Sequence, residues 1–170
     1  RIVPFRGRPV SAGEHVLVAS RLAAEKGVEV AVQACAQAQL PLVVAGDGPQ
    51  AAALRAAGGA AFVGRVSADE LAGLRARAAL AIVPSRAAET FGLAAAEAMA
   101  AGVPVVASAV GALAELVDPD GLVAPGDVEA LADVARARFG DGVAGAAGLQ
   151  RVRELAAPEV VAAGLRPLYG

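Results

Sequence analysis

Glu89-Thr90-Phe91-Gly92-Leu93-Ala94-Ala95-Ala96-Glu97, running into Ala98-Met99-Ala100-Ala101-Gly102-Val103-Pro104-Val105-Val106-Ala107-Ser108, is the stretch that decides the fold. The apolar run Leu80-Ala81-Ile82-Val83 precedes it and a second apolar run closes it, so the pattern reads strand, helix, strand. Good helix formers fill Thr90 to Ala100, with a carboxylate towards each end and Gly92 in the expected first turn. The N–H groups of Phe91, Gly92 and Leu93 at such a start have no partner within a helix, and the macrodipole is positive there. A phosphate is therefore the expected ligand. Gly92 lets that ligand approach the backbone closely. If Thr90 begins the helix, Glu97 lies about 10 Å further along the axis at ~1.5 Å per residue, a spacing suited to a long, diphosphate-centred ligand.

Outward from this unit the alternation continues. Strands are predicted at His15 to Ser20, Pro41 to Gly46, Ala60 to Gly64, Leu80 to Pro84, Val103 to Ser108 and Gly121 to Ala124. Helices are predicted at Lys26 to Gln39, Pro49 to Ala57, Ala68 to Ala78, Thr90 to Ala100, Ala112 to Val117 and Val128 to Arg138. Strands and helices in turn imply an α/β, Rossmann-like domain, an open parallel sheet with helices on both faces. Ser67-Ala68-Asp69-Glu70 reads as a capping box, Gly126-Asp127 as an N-cap, and Pro49 as a first helical residue. Gly140 to Gly148 is glycine-rich enough to read as a mobile connection, and Pro158 to Tyr169 as a last helix ending before Pro167.

Composition narrows the function classes. The 170 residues fit one domain or half of a larger enzyme, and the 56% hydrophobic content is dominated by alanine, with no window of the roughly 20 strongly apolar residues a membrane span needs. A net charge of −2 and an aromatic content of 3% with no Trp argue against nucleic acid as a partner, since both electrostatic attraction and stacking platforms are lacking. Cys35, the one cysteine, cannot form an internal disulfide, and a cytoplasmic location is the default. No signal-like stretch stands at the N-terminus, although the abrupt start at Arg1 before Ile2-Val3-Pro4 suggests upstream sequence. His15, the one histidine, receives no catalytic role.

After the first strand comes Ser20-Arg21-Leu22-Ala23-Ala24-Glu25-Lys26-Gly27. Ligands of open parallel sheets lie beyond the carboxyl ends of the strands, so Arg21 and Lys26 should face the same crevice as Glu89 and could neutralise a diphosphate. Ala45-Gly46-Asp47-Gly48-Pro49 and Phe62-Val63-Gly64-Arg65-Val66 supply tight strand exits. The dinucleotide-binding G-x-G-x-x-G is absent after the first strand, as are a P-loop and the G-x-S-x-G of serine hydrolases.

At these residues the chain resembles the retaining glycosyltransferases of the GT-B fold, family 4 (glycosyl transferase group 1), whose signature is E-x-F-G-L-x-x-x-E-A-M-A-x-G-x-P-V-V-A-S. Every fixed position of it is matched from Glu89 to Ser108. Arg21 to Gly27 is similar to the family's R-x-x-x-x-K-G. The resemblance implies that Arg21 and Lys26 hold the leaving diphosphate and that Glu89 holds donor-sugar hydroxyls, these three forming the catalytic set. It implies further that Phe91, Gly92 and Leu93 line the phosphates, that Glu97 binds the ribose diol, and that Gly64, Arg65 and Val66 edge the base pocket. It implies a nucleotide sugar as substrate, no metal and no separate cofactor. It covers nearly the whole chain but only the donor-binding half of such an enzyme. An N-terminal acceptor-binding domain is therefore expected as partner, any peripheral membrane contact would be made through that domain, and this half alone should transfer no sugar. Two departures stand out: Gly111-Ala112-Leu113-Ala114-Glu115 where the family commonly carries Gly-Gly-x-Pro-Glu, which bears on the loop near the donor sugar, and Ala87-Ala88 where relatives often carry bulkier residues, which implies a roomier sugar pocket. A non-catalytic nucleotide-sugar module of the same fold is the competing reading. A sugar-nucleotide epimerase would need further acid/base residues than those found.

Overall fold

In the computed structural model the described residues are 13–156. Six strands, β1 (His15–Ala19), β2 (Leu42–Ala45), β3 (Ala61–Gly64), β4 (Ala78–Val83), β5 (Val105–Ser108) and β6 (Leu122–Val123), form one parallel sheet in the order β3-β2-β1-β4-β5-β6. Seven helices accompany them: α1 (Val28–Ala38), α2 (Ala51–Ala57), α3 (Ala68–Ala76), α4 (Leu93–Ala100), α5 (Ala112–Leu116), α6 (Val128–Arg138) and α7 (Gly142–Ala156). The α/β, Rossmann-like architecture expected from the alternation is the one found.

The two-residue period of the strands splits the core. Val16 and Val18 of β1, Leu80 and Ile82 of β4 and Val106 of β5 point to one face, where α1, α2 and α6 cover them through Ala31, Leu54 and Leu131, among others. Leu17, Ala81, Val83, Val105 and Ala107 point to the other face, under α4, α5 and α7. All six residues of β4 are buried, as a strand covered on both faces must be. The chain leaves β1 towards β2 and β3 and then returns to the other side of β1 as β4. The β1–β4 junction is therefore the switch point where loops diverge and leave a crevice at the carboxyl edge.

Several boundaries differ from the sequence reading. Gly92 sits at φ 59°, ψ 36°, a left-handed conformation outside the right-handed helix, so α4 starts at Leu93 rather than Thr90. Glu97 then lies about 6 Å along the axis from the first helical residue, at ~1.5 Å per residue. Pro49 is not a helical residue: the Ala51 N–H donates to the Gly48 carbonyl at 3.0 Å, and Pro49 lies in that turn, before the N-cap Gln50. Strand β4 opens at Ala78, where α3 was expected to end, because Ala78 and Ala79 are buried in the sheet.

The largest correction is Gly140 to Gly148, most of which belongs to α7 and not to a mobile connection. Asp141 Oδ1 accepts from the N–H groups of Val143 and Ala144, both at 3.0 Å, which caps the helix start. Gly148 packs on Met99 of α4, where even a Cβ would be in ordinary van der Waals contact with Met99 Cγ at 3.4 Å. The expected caps at Ser67 and Asp127 are both present. The segment Pro158 to Tyr169 and the N-terminal Arg1 to Pro4 lie outside the described residues.

Removing the Asp141 cap should loosen α7. Asp141→Ala is expected to lower unfolding free energy by about 1 kcal/mol, read from urea denaturation, and an unchanged midpoint would contradict the capping role.

Candidate functional site

The loop from Ser20 to Gly27 is anchored by Leu22, which is fully buried, and ends in a short 3-10 turn over Ala24–Lys26. Gly27 adopts φ 59°, and a Cβ there would fall 2.2 Å from the Pro84 carbonyl oxygen. Only glycine lets this loop press against the one leaving β4. The contact is tightened by the N–H groups of Arg86 and Ala87, which donate to the Glu25 carbonyl at 2.9 and 3.3 Å, and by a 2.8 Å ion pair between Arg86 and Glu29. Gly46 plays a matching part on the other flank, where a Cβ would lie 1.8 Å from the Ser20 carbonyl oxygen. The glycines of Ala45 to Pro49 thus seat the β2 exit directly on the backbone that carries Arg21.

Between these loops lies a cleft of about 380 Å³ at the switch point. Arg21, Lys26 and Glu89 line it, as do Phe91, Gly92 and Leu93. Six of the ten residues singled out in the sequence therefore meet in one crevice. Lys26 Nζ donates to Glu89 Oε1 at 2.5 Å, and the Ser85 hydroxyl donates to the same oxygen at 2.6 Å. Both of these bonds go to Oε1. Burial raises the Glu89 pKa, but the hydrogen bonds from Lys26 and Ser85 and the Lys26 charge outweigh it, holding the carboxyl below its ordinary range. The Glu89 backbone is fixed as well: its carbonyl accepts from the Ala112 N–H at 2.8 Å, and a Cβ on Gly111 would lie 2.5 Å from that same carbonyl oxygen. Of the two glycines of the family's Gly-Gly-x-Pro-Glu, the one retained here, Gly111, is the one the geometry needs.

Arg21 pairs with Glu25 on the exposed rim. Helix α4 begins over the cleft with no side-chain cap, so its first-turn N–H groups are available to an anion. Phe91 is 74% exposed at the mouth.

The other four residues lie apart. Glu97 does not line the cleft. It sits one turn beyond Leu93 and Ala94 on the same face of α4, in an ion pair with Arg75 of α3. Gly64, Arg65 and Val66 sit at the carboxyl end of β3, two strands from β1, where the Gly64 carbonyl accepts from the Gly46 N–H at 2.7 Å. Two partners were missed in the sequence. Ser85, buried and four residues before Glu89, could have been suspected from its place after the strand; Arg75 carries no signal, because its contact depends on how α3 docks. His15 lies at the amino end of β1, away from the cleft, with its pKa lowered by burial first and by Arg77 second. Cys35 is buried in α1, its thiol pushed up to about 12 by burial, and is not a nucleophile.

Residues 13–141 match the family model described as Glycosyl transferases group 1. Over 168 residues the chain is 35% identical to 2-deoxystreptamine glucosyltransferase of Streptomyces kanamyceticus, an alignment covering 90% of this chain and 43% of that protein. Among solved structures it is similar to sucrose-phosphate synthase from Thermosynechococcus elongatus, with a TM-score of 0.78 and 35% identity over 94% of this chain and 45% of the other. It is also similar to Anabaena Alr3699/HepE in complex with UDP and glucose, with a TM-score of 0.74 and 26% identity over 92% of this chain and 49% of the other. The chain thus spans less than half the length of each of these relatives.

Because Glu89 has a lowered folded pKa, its contacts add stability above the ordinary glutamate value of 4.5, and that stability is lost as pH falls through the lower folded value. Melting Glu89→Gln beside the unaltered chain from pH 7 to pH 3 should show a gap that narrows on the acid side of about pH 4.5. A gap independent of pH would contradict the charged pairing.

Proposed function

The chain belongs to the glycosyl transferases of group 1, and on that premise we propose that it binds the nucleotide-sugar donor as the C-terminal half of a retaining enzyme. The observation that carries this reading is the single crevice at the switch point, lined by two cations, one carboxylate and an uncapped helix start. Cations and open N–H groups suit a diphosphate, and a carboxylate with one oxygen already engaged suits a hydroxyl-bearing group beside it. The complex of Alr3699/HepE with UDP and glucose supports the same combination of ligand parts.

Chemically, departure of a nucleoside diphosphate leaves charge on its terminal phosphate. Lys26, Arg21 and the first turn of α4 are placed to stabilise that charge, with groups already held by Glu89, Glu25 and the fold. Glu89 would orient the sugar through Oε2, its carboxylate fixed by Lys26 and Ser85. Glu97, further along α4, would take the ribose, and Gly64 to Val66 the base. Bringing an acceptor hydroxyl to the anomeric carbon and excluding water is work for a second domain closing over the cleft, so this chain alone should bind donor without transferring sugar. Transfer by these 170 residues alone would refute that division.

Calorimetric titration with UDP, GDP and ADP beside their nucleosides tests the site. Arg21→Ala or Lys26→Ala should weaken the tightest diphosphate by roughly 1.5–3 kcal/mol and leave nucleoside binding nearly unchanged. Equal losses for nucleoside and diphosphate would overturn the placement of the phosphates.

A further inference from the structure

Glu97 is expected at the ribose, yet the structure shows it already engaged. Arg75, near the carboxyl end of α3, reaches across to α4 and pairs through Nη2 with Glu97 Oε2. Both side chains are largely withdrawn from water, at 15% and 18% exposure, unlike the open Arg21–Glu25 pair. A pair so shielded holds its geometry better than one on the surface, where ion pairs contribute little. The remaining oxygen, Oε1, is then held in a fixed direction. Glu97 follows Leu93 by four residues and Ala94 by three, and both of those line the cleft, so this oxygen continues the same face of α4 beyond the phosphate end. Helix α3 itself contributes no fully buried residue, and its Leu71 and Leu74 are only partly buried against the core.

Resting on the reading of Glu97 as the ribose ligand, we propose that Arg75 is a positioning residue that holds the Glu97 carboxylate for the 2′-hydroxyl and so sets the preference for ribonucleotide over deoxyribonucleotide donors. The guanidinium takes one carboxylate oxygen, holds Glu97 in one rotamer, and leaves the other oxygen to accept from the sugar diol. Without it the carboxylate is free to swing to water, and the ribose contact becomes one rotamer among several.

The test compares the tightest of UDP, GDP and ADP with its 2′-deoxy counterpart, titrated into the full chain and into Arg75→Gln, Arg75→Lys, Glu97→Gln and the Arg75→Gln/Glu97→Gln double variant. The unaltered chain should prefer the ribonucleotide by about tenfold or more, the change expected for one hydrogen bond to a charged group. Arg75→Gln should lose most of that preference and Arg75→Lys should retain part of it. The double variant should lose no more than Glu97→Gln alone, because Arg75 acts through Glu97. If Arg75→Gln lowers melting temperature but leaves the ratio intact, Arg75 is only a tie between helices and the proposal is overturned. Tighter ribonucleotide binding in Arg75→Gln would likewise overturn it, marking Arg75 as an obstruction. An unaltered chain without preference, or a preference insensitive to Glu97→Gln, would instead overturn the reading of Glu97 on which the proposal rests. If none of the three diphosphates binds, the donor-site reading falls and the proposal with it.

Discussion

The contact between the loops leaving β1 and β4 is the constraint on which the rest of the site depends. At the switch point two neighbouring strands send their chains to opposite sides, and nothing in the sheet ladder itself holds the two exits together. Here they are locked at backbone range, Gly27 against the Pro84 carbonyl and the Arg86 N–H on the Glu25 carbonyl, before any side chain is considered. Only on that platform can Lys26 reach Glu89 across 63 positions of sequence. The ion pair is then half-buried, shares its oxygen with Ser85, and presents a cation and a carboxylate side by side at fixed separation.

That arrangement gives the cleft a particular electrostatic state. Each cation is already matched, Lys26 by Glu89 and Arg21 by Glu25, so an arriving phosphate competes with carboxylates rather than meeting bare charge. The two contests differ in strength. Arg21 and Glu25 are exposed and separate at little cost, whereas Lys26 need not leave Glu89 at all, since an ammonium has three donors to share. A ligand carrying both phosphate and hydroxyls can satisfy the pair without breaking it, which is the physical sense in which the proposed nucleotide sugar would suit one crevice better than either of its parts alone.

Much of this was legible in the chain. Strand and helix alternation follows from apolar runs and caps that act locally, and Arg21, Lys26 and Glu89 could be placed together because a parallel sheet sends its strand exits to one edge. What escaped depends on contacts between distant segments. Gly92 looks like a tolerable residue inside a helix, and only its left-handed backbone moves the helix start to Leu93. The glycines from Gly140 to Gly148 suggest a loop by composition, but an aspartate cap and packing against Met99 of α4 accompany a helix there. Arg75 and Ser85 acquire meaning only through partners, Glu97 and Glu89, which belong to other elements or to the far side of a turn.

The central claim is that phosphate sits over the start of α4 and beside Lys26. Backbone amide shifts followed by NMR as the tightest-binding nucleoside diphosphate is titrated in would map this residue by residue. The account predicts that the largest, saturable changes fall on Leu93, Ala94 and Ala95, with Lys26 and Gly27 moving in parallel. Changes concentrated at the amino edge of the sheet around His15, or on α6, with the α4 start unmoved, would contradict it.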